Sequence, residues 1–282
     1  MLKILLMMLG CLPGAAAPAR IVSTAPGITE ILFALGLGDR VVGVTEYCVY
    51  PAEVKKLPKI GSYITPNMEV IVSLRPDIIF VQRTAIHDAA KFAPLRLQTT
   101  EVELERVADI YAAIQIIGNA AGVADRARSL VGSIQKQLAD IRKRVEGRPR
   151  TPAMFIVGRV PGKLEGIIAA GGQSYISEMI EVAGGRNILA DSRVAYPKVL
   201  HEELLARNPH VIIDMGEHAD ASSLTPAQIA SEVALYKRYP TIPAVRNNRI
   251  HIVSSAAFVV PGPRVVECAR RIAALLHPEA FR

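Results

Sequence analysis

Tryptophan is absent from the sequence and aromatic residues make up only 5% of it. Nucleic-acid surfaces combine stacking aromatics with basic stripes, and no stripe studded with aromatics occurs here, so that partner class is excluded. Catalytic signatures are missing as well. The nearest text to a Gly-x-Ser-x-Gly elbow is Gly171-Gly172-Gln173-Ser174-Tyr175, and Gly36-Leu37-Gly38-Asp39 lacks the third glycine and the following helix of a dinucleotide site. There is no phosphate-binding loop, and the six histidines form no His-x-x-x-His pair. An enzyme would have to gather its residues from distant parts of the chain, which keeps a bilobed metal-dependent enzyme as the competing class.

What is present specifies a folded chain. It has 282 residues, half of them hydrophobic and 21% charged, enough for one large or two ordinary domains. The formal charge of +7 is dispersed and reads as a solvated surface.

The N-terminus has a different pattern. Lys3 precedes the apolar run Ile4 to Leu9, and small residues Gly14 to Ala17 follow, the order of a secretory signal. A membrane-spanning helix needs about 20 apolar residues, and Pro13 interrupts this run early. Ala17-Pro18-Ala19 supplies small residues at both positions required for cleavage, so residues 1–19 are expected to be a signal peptide of an exported, periplasmic protein. Met8-Leu9-Gly10-Cys11 offers the alternative of a lipid anchor. Cys48 and Cys268 remain after cleavage, and Cys48 reads as a small buried residue.

Beyond the leader, short β-branched runs alternate with helical stretches, the pattern of α/β layers with parallel strands. The runs at 19–25, 40–45, 77–81, 97–102, 153–158, 210–214 and 249–253 read as strands. Gly27 to Leu37 reads as an amphipathic helix with Ile28, Ile31, Leu32 and Leu35 on one face. Leu104 to Val145 contains only Gly118, Gly122 and Gly132 as breakers and is expected to be helical; Ile134, Leu138, Ile141 and Val145 share an apolar face. EGRPRTP (146–152) ends it. The expected organisation is an N-terminal lobe at 20–123, an interdomain helix at 124–147 and a C-terminal lobe at 148–282.

The two lobes echo one another. Leu74-Arg75-Pro76-Asp77-Ile78-Ile79 matches Arg207-Asn208-Pro209-His210-Val211-Ile212. Glu69 and Glu202 each stand seven residues before the proline, and Tyr63 and Tyr196 stand six residues before those glutamates. A glutamate in a first helical turn also answers the helix dipole, so each element has a purely local explanation. The coincidence of two pairs at equal spacing points instead to equivalent positions on a pseudo-symmetric, bilobed clamp.

The stretches at 20–51, 66–81 and 191–213 resemble the helical-backbone substrate-binding proteins of ABC importers for cobalamin, haem and ferric siderophores, with the cobalamin branch nearest. The resemblance covers nearly the whole exported chain. It implies two α/β lobes with mainly parallel sheets, joined by a single long rigid helix, with the ligand cleft between the lobes. It further implies a non-enzymatic monomer, without resident metal or cofactor, that captures a metal chelate and delivers it to a permease coupled to an ATPase. By this resemblance Glu69 and Glu202 dock onto the permease, and Tyr47, Tyr63, Gln82, Arg83, Tyr196 and Phe258 fall on stretches that line the cleft. Arg83 is the cation available to a ligand carboxylate, phosphate or propionate. Cobalamin binders of the family often present tryptophans to the corrin, whereas here Tyr196, Gln82 and Ala257 occupy such positions, so haem and ferric siderophores stay as alternative ligands. A cysteine pair found in some relatives is incomplete, because Ala183 stands where the partner of Cys268 would be.

Overall fold

The β-branched runs become two sheets in a computed structural model that describes residues 17–62, 64–84, 89–216 and 224–281. The first sheet contains β1 (Ile21–Ser23), β2 (Val41–Val44), β3 (Ile78–Gln82) and β4 (Thr99–Val102), in the order β2-β1-β3-β4 with every neighbouring pair parallel. The second contains β5 (Thr151–Gly158), β6 (Ile167–Ala169), β7 (Gly185–Asn187), β8 (Lys198–Val199), β9 (Val211–Asp214) and β10 (Ile250–Ile252). There β10, β9 and β5 are parallel, β6 and β8 extend the sheet antiparallel, and β7 pairs with the first residues of β5. All seven expected strands form. The short strands β6, β7 and β8 were not expected.

The helices among the described residues are α1 (Pro26–Ala34), α2 (Met68–Ser73), α3 (Val107–Ala120), α4 (Ala124–Arg144), α5 (Tyr175–Val182), α6 (His201–Arg207), α7 (Pro226–Ala234), α8 (Pro243–Arg246) and α9 (Val265–Leu276). The helical stretch expected from Leu104 to Val145 is two helices. Gly122, at φ 74°, turns the chain between α3 and α4 in the left-handed conformation that glycine tolerates. Gly118 has a different use: a Cβ there would lie 2.4 Å from the Cβ of Ala127, so its absence lets α3 and α4 pack closely.

Pleating divides each sheet between two cores. Ile78 and Phe80 of β3, Ala153 and Phe155 of β5, and Val211 and Ile213 of β9 face one continuous cluster that runs through both lobes. Their neighbours face separate outer clusters, Ile79 and Val81 in the first lobe and Met154, Ile156 and Ile212 in the second. The helix α4 fills the seam. Its buried face, Ala127, Val131, Ile134, Leu138 and Ile141, belongs to the shared cluster, and it packs against α3, α5 and α9. The lobes are therefore joined by a common core as well as by the helix. Close packing of this kind resists hinge rotation.

The sequence echo is also a structural one. The helices α2 and α6 are each followed by a residue with positive φ, Arg75 at 46° and Asn208 at 52°, directly before the proline. The next residue then bonds to the start of the lobe's first strand: Asp77 N donates to Arg20 O at 2.8 Å, and His210 N donates to Pro152 O at 2.9 Å. No helix of the described residues is long and apolar enough to cross a membrane. Most of the expected signal peptide, residues 1–16 with Cys11, lies outside the described residues.

Candidate ligand cleft

Parallel strands place all their carboxyl ends on one side, and the loops that leave those ends form the natural binding crevice of an open α/β sheet. Here the crevices of the two sheets face each other. A cavity of about 440 Å³ is lined by Gln82, Leu104 and Glu105 from the first lobe and Val157, Tyr196, Val259 and Pro261 from the second. Gln82 ends β3 and Glu105 follows β4, while Val157 lies near the end of β5. A larger hollow of about 760 Å³ lies at the other end of the strands, beside Arg142, Lys143, Arg148 and Arg150, where α4 runs into β5. Its lining contains no aromatic residue.

Tyr196 is held by backbone geometry. The flanking residues accept hydrogen bonds, Ala195 O from Gly171 N at 2.8 Å and Pro197 O from Ala169 N at 3.1 Å. The turn fits only because Gly171 has no side chain, since a Cβ there would lie 2.1 Å from Val194 O. Ser174 in the same segment caps α5, accepting from Ser177 N and donating to Gly171 O at 2.8 Å. Although the residue is 36% exposed, desolvation of its phenol in the cleft raises the pKa above the ordinary value, and nearby Glu105 raises it further. Burial also raises the Glu105 carboxyl, followed by the charges of Asp109 and Glu103.

The expected cleft residues do not all meet. Gln82 and Tyr196 line the cavity together. Arg83 faces another way, because successive residues of an extended chain point to opposite sides. Its guanidinium pairs with Glu103, beside Glu101, Asp109 and Ile116. Phe258 turns inward, 1% exposed and packed on Phe155 with ring centroids 5.4 Å apart, so that Val259 and Pro261 form the surface above it. Tyr47 is exposed in the turn after β2. Tyr63 lies outside the described residues. Glu105 had no motif to mark it, and its only sequence signal is its place just beyond a strand's carboxyl end.

Three arginines near the cleft have partners. Arg83 pairs with Glu103; Arg106 reaches across the lobes to Glu178 and Gln173; and Arg264 pairs with Glu30 while lying 4.2 Å over the Tyr50 ring. The cavity thus combines apolar walls with an amide, a phenol and a carboxyl group. Cys48 is buried, with its sulfur 3.2 Å from Thr29 Oγ1 and 3.1 Å from Thr45 Oγ1, and burial raises its thiol. Cys268 is also buried and unpaired, and no group of three or more His, Cys, Asp or Glu among the described residues is placed to hold a metal.

The two glutamates lie on the surface of their lobes. Glu69 and Glu202 are each the second residue of their helix, α2 and α6, both exposed, and neither makes an ion pair with a described residue.

Known proteins share this arrangement. The chain is 30% identical over 274 residues to an uncharacterized ABC transporter substrate-binding lipoprotein of Bacillus subtilis, a match covering 94% of this chain and 82% of that protein. The crystal structure of the periplasmic vitamin B12 binding protein of Vibrio cholerae superposes with a TM-score of 0.75 at 26% identity, covering 94% of this chain and 99% of that one. The fold alone is also shared with a periplasmic heme-binding protein from Roseiflexus sp. RS-1, with a TM-score of 0.74 at 24% identity over 93% of this chain and 98% of that one. The model of the periplasmic binding protein family matches residues 21–257, from the first strand of one lobe to the loop that closes the cleft in the other, and the chain belongs to that family.

Proposed function

We propose that the protein is the extracytoplasmic substrate-binding component of an ABC importer and that its cargo is a corrinoid, cobalamin. The observation that carries this reading is the cavity between the carboxyl ends of two sheets whose lobes share one core. Capture is non-covalent: Tyr196 packs and hydrogen-bonds, Gln82 and Glu105 orient polar groups at the ligand rim, and Leu104, Val157, Val259 and Pro261 exclude water. The similarity to a vitamin B12 binding protein over 94% of the chain supports the ligand. So does the charge of the cleft. A corrinoid carries neutral amides around its ring, and these suit Gln82 and Glu105. Haem, the alternative with a ferric siderophore, brings anionic propionates that would meet Glu105 with Arg83 turned away.

The exported protein acts as a periplasmic monomer without a resident cofactor. It delivers its cargo by docking Glu69 and Glu202 onto a permease, which couples to the ATPase.

The test is a titration of stripped protein with cyanocobalamin, haemin and a ferric siderophore, followed by absorption spectroscopy. Cyanocobalamin is expected to bind one equivalent and to be recovered unchanged. Haemin binding with a tyrosinate charge-transfer band would replace the corrinoid by haem, and recovery of a modified ligand with turnover would replace the binder by an enzyme.

A further inference from the structure

The repeated frame contains one more matched pair. Val72 stands three residues after Glu69, and Leu205 stands three residues after Glu202. Both are exposed, Val72 at 50% and Leu205 at 40%, on helices that otherwise bury Ile71 and Leu204. A single exposed aliphatic residue is ordinary. Two at the same place in both halves of a repeat, each on a helix whose glutamate also makes no ion pair with a described residue, are a different matter. Residues three apart on a helix lie on the same face, so in each lobe the carboxylate and the aliphatic side chain present one patch. The second lobe adds Leu200, 69% exposed, two residues before Glu202.

We infer that each lobe docks through a two-part patch, Glu69 with Val72 and Glu202 with Leu205, and that the partner carries a cation beside an apolar socket on each of two equivalent halves. The inference rests on the reading that the two glutamates meet the permease. The carboxylates set register and speed encounter, whereas the aliphatic side chains, desolvated on contact, slow dissociation. Simultaneous engagement then adds the effective concentration of the second site.

The test measures association of the full-length protein with the importer's permease–ATPase complex in nanodiscs, by surface plasmon resonance. Val72→Ser and Leu205→Ser are each expected to weaken docking roughly tenfold, mainly through faster dissociation, and the double variant more than either. Unchanged thermal unfolding shows that the variants fold. Ile116→Ser, at an equally exposed position on α3, is expected to dock like wild type. If the Val72→Ser/Leu205→Ser double variant docks like wild type while Glu69→Gln/Glu202→Gln does not, the apolar half of the patch is wrong and the glutamate docking stands. If Glu69→Gln/Glu202→Gln also docks like wild type, the docking reading itself fails. Equal weakening by Ile116→Ser overturns the assignment of the patches.

Discussion

Glu30 on α1 and Arg264 at the start of α9, 234 residues apart, form a two-pronged ion pair between the lobes, with Nε 2.9 Å from Oε2. Glu30 is only 4% exposed, and burial raises its carboxyl despite the opposing pull of Arg264. The pair sits where backbones meet: a Cβ on Gly27 would lie 2.2 Å from Pro261 O. Arg106 and Glu178 form a second ion pair between the lobes.

Replacing Arg264 with Met leaves a buried carboxylate without its cation and is expected to cost about 3 kcal/mol near pH 7. The sign with pH follows from Glu30. Its folded-state pKa is already raised and rises further without Arg264, so the ionised form opposes folding and protonation relieves it. The defect of Arg264→Met should therefore be largest near pH 7 and shrink toward pH 4, and Glu30→Gln in the same chain should recover part of it. Chemical unfolding at both pH values measures this. A defect that does not change with pH would show that the loss is one of packing.

Arg159 supports the second lobe from inside. Its side chain is 1% exposed, its Nε lies 2.9 Å from Asp214 Oδ2, and it pairs with Glu232 of α7; Tyr236 donates to the same Asp214 oxygen at 2.8 Å. Arg159→Met removes the cation and leaves two buried carboxylates, with an expected loss of about 3–5 kcal/mol. Asp214→Asn keeps the size of the group but sets an amide NH2 against one set of its donors, Gly216 N on one side or Arg159 Nε and Tyr236 Oη on the other, and should cost less because Arg159 still pairs with Glu232. Urea unfolding checks the order, and equal losses would mean that charge is not what Arg159 supplies.

Much of this was legible in the sequence because it depends on local pattern. Strands such as DIIFV and HVIID are β-branched runs between breakers, and the prolines after α2 and α6 exposed the repeat. What was not legible depends on tertiary approach. Gly185 to Asn187 and Lys198-Val199 are too short to show alternation, and they pair only because β5 and β6 present free edges. Gly118 looks like a breaker, but it permits a helix contact that no single segment encodes. Arg83 is one residue from a cleft position, and the pleat alone turns it to Glu103. Glu105 becomes a site residue only when the second lobe brings Tyr196 opposite.

Glu105 should set the charge preference of the cleft. Cyanocobalamin and its monocarboxylic acids differ only by an amide exchanged for a carboxylate, so their affinity ratio reports the local charge. Wild type is expected to prefer the amide form over the acid that places its carboxylate nearest Glu105 by roughly tenfold, and Glu105→Gln should abolish the preference. Burial raises the Glu105 carboxyl, so its ionised form costs stability that is absent below the ordinary carboxylate pKa and appears as pH rises through the folded value. Glu105→Gln should accordingly melt higher than wild type at pH 7, by less than about 3 °C, and alike at pH 4. A preference that survives the substitution would remove Glu105 from the ligand's surroundings.

Gly171 should control ligand affinity without touching the ligand. A Cβ there meets Val194 O at 2.1 Å and Pro197 Cδ at 2.8 Å, both in the turn that carries Tyr196, and backbone cannot move aside as the end of a long side chain can. Gly171→Ala must push that turn outward and break the Gly171 N to Ala195 O bond, shifting the phenol out of the cavity. The shared core between the lobes lies below this surface turn and should be retained. Cyanocobalamin affinity is therefore expected to fall at least about tenfold, the scale of losing one buried aromatic contact. Tyr196→Ala should fall by a similar factor, and the double variant little further, because both changes remove the same contact. A fully additive double variant would show that Gly171 acts through something other than Tyr196.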